Sequence, residues 1–217
     1  MKRIMIVDDH PVMRMGYRLL IESEPDLSVC CEAGSALEAM DIARRDRPDL
    51  MIVDISLGGM NGIVLIKNLL AEMPDLLTLV VSTHDETIYS ERAIHAGARG
   101  YVMKSEVDRT IVEAVRRVLR GGFYLSDQMS ARILSQFQKM KKGRPDQASS
   151  EIDQLSDREL EVFELIGEGM SIQDIADALL ISPKTVESHR GRIKQKLSLE
   201  TSTALLQRAT LWVEQRP

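Results

Sequence analysis

The chain has 217 residues, 44% hydrophobic and 28% charged, with a net charge of −5. That balance excludes wholesale disorder, collagen-like sequence and a disulfide scaffold, and at roughly 150 residues per domain the length suits one large or two small domains. No apolar run approaches the roughly 20 residues that span a bilayer, and MKRIMIVDD meets two carboxylates too early for a signal-peptide core. A cytoplasmic protein with no membrane association is expected.

The first 120 residues alternate short apolar runs with longer helical patterns. The runs Ile4–Val7, Leu27–Cys31, Leu50–Val53, Leu77–Val81 and Gly100–Met103 read as strands. Helical spacing lies between and after them, over Val12–Ile21, Leu37–Ala43, Ile63–Leu70, Ile88–Ala96 and Val107–Leu119. Pro11 suits a first helical position, Ser35 an N-cap, and Gly97 the end of a periodic stretch. Five apolar strands alternating with five helices predict a parallel sheet covered on both faces. Cys30 and Cys31 are the only cysteines. Strand alternation sends adjacent side chains to opposite faces, so two packing residues are expected. After Gly121-Gly122 a helical stretch, Ser126–Met140, leads into KKGRPDQASS, whose composition reads as a linker. From Leu155 the pattern is helical throughout.

Ligands of a parallel α/β sheet bind beyond the carboxyl ends of its strands. There the chain carries Asp8 and Asp9, then Asp54, Ser82 and Lys104. Singly, each has an ordinary reading as a turn former, a cap or a solvated lysine. Together they point to a site. Three converging carboxylates repel one another unless a cation joins them, and hard oxygen donors in small number suit Mg²⁺. One carboxylate then becomes a nucleophile toward a phosphoryl donor, with Lys104 and Ser82 placed to meet phosphoryl oxygens.

On these residues the segment from Met1 to about Gly122 resembles a response-regulator receiver domain of two-component signalling. The resemblance implies a flavodoxin-like, doubly wound five-stranded sheet in the order 2-1-3-4-5. It assigns Asp54 as phosphoacceptor, Lys104 as the phosphate-pairing lysine, Ser82 as the switch hydroxyl and Tyr101 as the switch aromatic. Asp9, Asp54 and the Ser56 backbone carbonyl become Mg²⁺ ligands, with Asp8 acting through water. Ser56 and His84 fall where members tune the lifetime of the phosphoryl group. Gly58 and Ser105 stand where many members have proline, and neither change removes a reacting group.

Leu155-Ser156-Asp157-Arg158-Glu159 places a Ser cap with Glu159 at capping-box distance. A helix bearing Leu160, Val162, Phe163, Leu165 and Ile166 follows, ended by Gly167 and Gly169. Ser171 caps a second helix; Ser182 and Pro183 open a third that runs to Leu197. Two helices joined by a short turn, the second with a basic face, describe a helix-turn-helix. On the third helix Val186, Ile193 and Leu197 share a face with His189, which is read as a packing residue. Lys184, Thr185, Arg190, Arg192 and Lys194 are placed for phosphates, and Glu187 and Ser188 for base edges. LSDRELEVFELIGEG and SIQDIADALLISPKTVESHRGRIKQKL resemble the LuxR-type DNA-binding domain, over roughly residues 151 to 213.

Both resemblances together are similar to NarL/FixJ-type response regulators. They imply residues 1–122 as receiver, 123–150 as linker helix and flexible linker, and 151–217 as a small all-α DNA-binding domain. A cognate histidine kinase, double-stranded DNA with paired half-sites and a phosphorylation-favoured homodimer are the implied partners. The family's last helix, here Ser202–Val213, often carries the dimer contact; Leu205, Leu206, Ala209, Leu211 and Trp212 supply that surface or else complete the core. Two rival readings stay open: a phosphate-independent DNA binder, and a Mg²⁺-dependent phosphohydrolase using Asp54. A regulator that is not an enzyme is the expectation.

Overall fold

The computed structural model describes residues 1–84, 86–131 and 151–215, and it divides into two units, Met1–Arg144 and Pro145–Pro217. In the first, strands and helices alternate: β1 Lys2–Val7, α1 Pro11–Glu22, β2 Leu27–Ala33, α2 Ala36–Asp46, β3 Leu50–Val53, α3 Gly62–Glu72, β4 Leu77–Ser82, α4 Glu86–His95, β5 Gly100–Met103 and α5 Val107–Leu119. All strand pairs are parallel, and the sheet order is β2-β1-β3-β4-β5. This is the flavodoxin-like order expected.

Local chemistry sets the helix boundaries. Pro11 occupies the first turn of α1, where a missing N–H is harmless. Ser35 and Asn61 cap α2 and α3 by accepting from the Glu38 and Ile63 amides. Ile4, Ile6, Leu50, Ile52, Leu79, Val81 and Val102 turn to one sheet face, against Tyr17 and Ile21 of α1 and Ile111, Ala114, Val115 and Val118 of α5. Met5, Val7, Met51, Val53 and Val80 alternate to the other face and are equally buried. Burial on both faces is why these strands are apolar throughout.

Two features differ from the sequence expectation. First, β1 and β2 lose register after Ile4: Ile4 faces Val29, but Met5 faces Cys31. Cys30 is the extra residue of a β-bulge, which interrupts the alternation of side chains. Cys30 and Cys31 therefore do not point apart; their sulfurs lie 3.3 Å from each other. Second, the chain after α5 does not leave the sheet at Gly122. Tyr101 N–H donates to the Tyr124 carbonyl and Tyr124 N–H to the Arg99 carbonyl, both at 3.0 Å, which covers the open edge of β5. The Arg99 guanidinium sits over Phe123, and buried Met129 lies against Ser90 of α4. The start of the expected linker, 123–131, is thus part of the receiver's packing. The rest of it, 132–150, lies outside the described residues.

Among its described residues the second unit holds a short 3₁₀ turn and four helices: α6 Asp157–Gly167, α7 Ile172–Ala178, α8 Pro183–Lys196 and α9 Ser202–Glu214. Capping boxes open α6 (Ser156 with Glu159) and α7 (Ser171 with Asp174), and Ser182 caps α8 ahead of Pro183. Gly169, at φ +84°, ends the α6 segment with a left-handed residue. Gly167 instead permits close packing. A Cβ there would stand 2.5 Å from the Ala209 carbonyl, so its absence lets α6 and α9 meet. Phe163, Leu160, Val162, Ile175, Val186, Ile193, Leu205 and Ala209 form the small core.

Candidate functional site

Parallel pairing of β1 with β3 matches Val7 to Val53, so the next residues, Asp8 and Asp54, emerge side by side. The Asp54 amide donates to the Val7 carbonyl at 2.9 Å. Both aspartates are buried, at 0% and 3% exposure. Lys104, just after β5, places Nζ 2.8 Å from Asp54 Oδ2 and 2.8 Å from Asp8 Oδ2. Asp8 is held further by the His10 amide at 2.8 Å, and its carbonyl accepts from Arg14 at 2.6 Å. Asp9, half-exposed, lies beside the His10 ring, with Nδ1 2.6 Å from Oδ1.

Asp54 Oδ1 is different. It is buried and has no hydrogen-bond partner among the described residues. Burial pushes the Asp54 carboxyl above its usual range, against the opposing pull of Lys104 and with a further push from Asp8. Burial works against the Lys104 ammonium, yet Asp54 and Asp8 outweigh it and hold its pKa above the usual range. The Tyr17 hydroxyl, buried and facing Asp8, is likewise held in its neutral form.

One ligand atom each from Asp8, Asp9, His10 and Asp54 lies within 4.8 Å of the others, as a single cation requires. Asp8, Asp9 and Asp54 were legible as strand-end residues. His10 was not, because its position beside the carboxylates comes from the turn into α1. Gly62 was missed too: a Cβ there would stand 2.0 Å from the Asp54 carbonyl, so the acceptor loop can close onto α3 only over a glycine.

Ser82 is buried, and its Oγ accepts from the His84 amide at 3.1 Å. Tyr101, 2% exposed, donates its hydroxyl to the His84 carbonyl at 2.8 Å. The two residues assigned to the switch therefore grip the same residue. The His84 ring reaches Ser56 Oγ at 2.7 Å and stacks on Tyr89 of α4.

In the second unit, Leu180 at φ +50° turns the chain between α7 and α8. Val186, Ile193 and Leu197 face inward as expected. His189 is half-buried, and burial, then Arg158 and Arg192, lowers its pKa. Lys184, Glu187, Ser188 and Arg192 are exposed, while Thr185 and Lys194 are half-covered. Thr185 Oγ1 lies 2.8 Å from the capping Ser182 hydroxyl. Arg190 is 17% exposed and paired with Glu187 at 3.2 Å. Lys196 is tied inward to Glu159 at 2.6 Å. On α9 the structure divides the dimer candidates: Leu205 and Ala209 are fully buried and Trp212 packs on Phe163, whereas Leu206 and Leu211 are exposed.

The response regulator receiver domain family matches residues 4–116, and the family of bacterial regulatory proteins of the luxR family matches residues 153–209. The chain is a two-component response regulator of the NarL/FixJ type. It is similar to the oxygen regulatory protein NreC of Staphylococcus carnosus, 31% identical over 95% of this chain and 96% of that one. It is also similar to the response regulator GacA of Pseudomonas aeruginosa, 32% identical over 94% of each. Among solved structures it resembles RcsB of Salmonella typhimurium, with 25% identity, TM-score 0.56 and 97% and 98% of the two chains covered. An RcsB–DNA complex matches with 25% identity and TM-score 0.57, over 96% and 98%. No helix among the described residues of this response regulator is long and apolar enough to cross a membrane.

Proposed function

We propose that the response regulator accepts a phosphoryl group on Asp54, from a cognate histidine kinase or a small acyl-phosphate donor, and that this controls binding of DNA by its second unit. One observation carries the reading. Lys104 fixes Asp54 through Oδ2, while Oδ1 is buried without a partner among the described residues. An unpartnered buried oxygen on a carboxylate is costly, and a reacting atom is one of the few reasons to retain it. As nucleophile, Oδ1 forms the bond to phosphorus as the donor's bond breaks: P–N of a kinase phosphohistidine, which leaves as imidazole, or P–O of an acyl phosphate, which leaves as carboxylate. Lys104 then pairs with the phosphoryl oxygens.

The donor set fits Mg²⁺. Asp9, Asp54 and the Ser56 backbone carbonyl would hold it, with Asp8 through water. When bound, the ion neutralises the converging carboxylates and phosphoryl oxygens. Ser82 Oγ turns from the His84 amide to the phosphoryl group, which loosens a segment that Tyr101 holds from its other end. The α4–β5 face thereby changes with phosphorylation.

Residues 1–131 form the acceptor unit, with 123–131 packed on its sheet edge and α4, 151–217 the DNA-binding unit, and 132–150 joins them. Helix α8 enters the major groove with Lys184, Thr185, Arg190, Arg192 and Lys194 toward phosphates and Glu187 and Ser188 toward bases. A symmetric dimer of the phosphorylated protein, using the exposed Leu206 and Leu211 side of α9, reads paired half-sites. The similarity to RcsB, solved with DNA, supports this part. Intact mass after treatment with a small acyl phosphate and Mg²⁺ tests the acceptor. One phosphoryl addition on wild type and none on Asp54→Asn is expected; addition to both variants would refute Asp54.

A further inference from the structure

The Cys30–Cys31 bulge takes no part in the receiver chemistry. Both thiols are free and half-buried on β2, which lies at the edge of the sheet. Their sulfurs lie 3.3 Å apart, and Cys30 Sγ also approaches the Ile4 carbonyl at 3.4 Å. Without the bulge, consecutive strand residues face opposite ways. The register slip is what converts two packing thiols into a chelating pair.

We infer that Cys30 and Cys31 form a bidentate site for a trivalent arsenical. The separation of the sulfurs selects the ligand. With sulfur bonds of about 2.3 Å, as for zinc, a 3.3 Å separation subtends about 90° at a shared atom. A tetrahedral ion with the same bonds needs sulfurs about 3.8 Å apart, and a linear one about 4.6 Å. Trivalent arsenic, pyramidal because of its lone pair, bonds near right angles. An intra-pair disulfide fits less well: adjacent Cα atoms are about 3.8 Å apart across a trans peptide, below the roughly 4.4–6.8 Å that disulfides favour. Burial, together with the Cys30 hydrogen bond, pushes the Cys31 thiol up to about 12. Cys31 therefore rests as a neutral thiol, slow toward oxidants that need a thiolate.

Binding of an organic arsine oxide balances without a redox partner. Two S–H bonds and the arsenic–oxygen bond break, and two As–S bonds form. The oxygen leaves as water with both protons, and arsenic stays trivalent.

The full-length reduced protein, with only these two cysteines, is treated with phenylarsine oxide and its intact mass read. Excess 2-mercaptoethanol or 2,3-dimercaptopropanol is then added to compete. One adduct per chain is expected, surviving the monothiol and removed by the dithiol. Cys30→Ser and Cys31→Ser, with Cys30→Ala and Cys31→Ala as second variants, should each retain at least tenfold less under the monothiol. Equal retention on the single variants would overturn the site. So would the lack of a resistant adduct on folded wild type whose two thiols both label after unfolding. Loss of two hydrogens under a mild oxidant, faster than arsenical uptake, would also overturn it in favour of a disulfide.

Discussion

Asp54 and Lys104 stand 50 residues apart in sequence, and a 2.8 Å bond from Nζ to Oδ2 joins them. The same ammonium reaches Asp8. One cation thus serves two buried carboxylates, and the charge deficit falls on Asp54, whose pKa burial raises.

That deficit makes metal-free stability depend on pH. Because the folded pKa of Asp54 is raised, its contribution is complete below the ordinary carboxylate range, about 4, and is lost as pH rises through the raised value. Asp54→Asn removes the loss. In EDTA, thermal melts should show Asp54→Asn above wild type at neutral pH, with the gap closing as pH falls toward 4. Each kcal/mol recovered moves Tm by about 4 °C in a domain of this size. A gap that widens in acid would contradict the charge balance.

Magnesium should stabilise the folded chain, since a ligand that binds only the folded state raises stability with the logarithm of its concentration. Wild-type Tm should climb with Mg²⁺ and return with EDTA. Asp9→Asn should flatten the response while leaving the metal-free melt within a few degrees, because Asp9 is the half-exposed member of the cluster.

Gly62 and Gly16 offer a paired test of backbone approach. A Cβ at Gly62 meets the Asp54 carbonyl at 2.0 Å, whereas one at Gly16, within α1, meets nothing within 4 Å. Gly62→Ala should cost about 1–3 kcal/mol or more and slow phosphoryl uptake by displacing the acceptor loop. Gly16→Ala should gain about 0.5–1 kcal/mol through helix propensity. Urea melts and phosphorylation rates on both variants check this.

The basic helix α8 separates into two kinds of lysine and arginine. Lys184→Ala and Arg192→Ala, at exposed positions, should weaken DNA binding across sequences and each reduce the salt slope by about 1. Lys196→Ala should leave that slope alone and lower stability, because Lys196 is engaged by buried Glu159. Salt titrations of binding, with melts of the free protein, distinguish the two.

On α9, Leu205→Ala should destabilise by about 2–5 kcal/mol, as for a buried leucine. Leu206→Ser and Leu211→Ser, both at exposed positions, should leave the melt within about 0.5 kcal/mol and lower dimer formation by the phosphorylated protein. Sedimentation in both phosphorylation states reads the difference.

Features that depend on near neighbours in the chain were readable from residue order alone. Leu50–Val53 and Gly100–Met103 read as strands over the spans observed, and Ser156, Ser171 and Ser182 marked helix starts through short-range capping. Asp8, Asp54 and Lys104 were legible because the carboxyl ends of parallel strands share one edge, so strand position alone brings them together. Tertiary structure decided the rest. A register slip between β1 and β2 brought the Cys30 and Cys31 sulfurs together, and Lys196, although exposed, is tied to buried Glu159. The approach of α6 to α9 turned Leu205 and Ala209 into core. Periodicity and caps are set within a few residues. Which exposed-looking group meets which partner depends on packing between segments far apart in sequence, and composition carries no record of that distance.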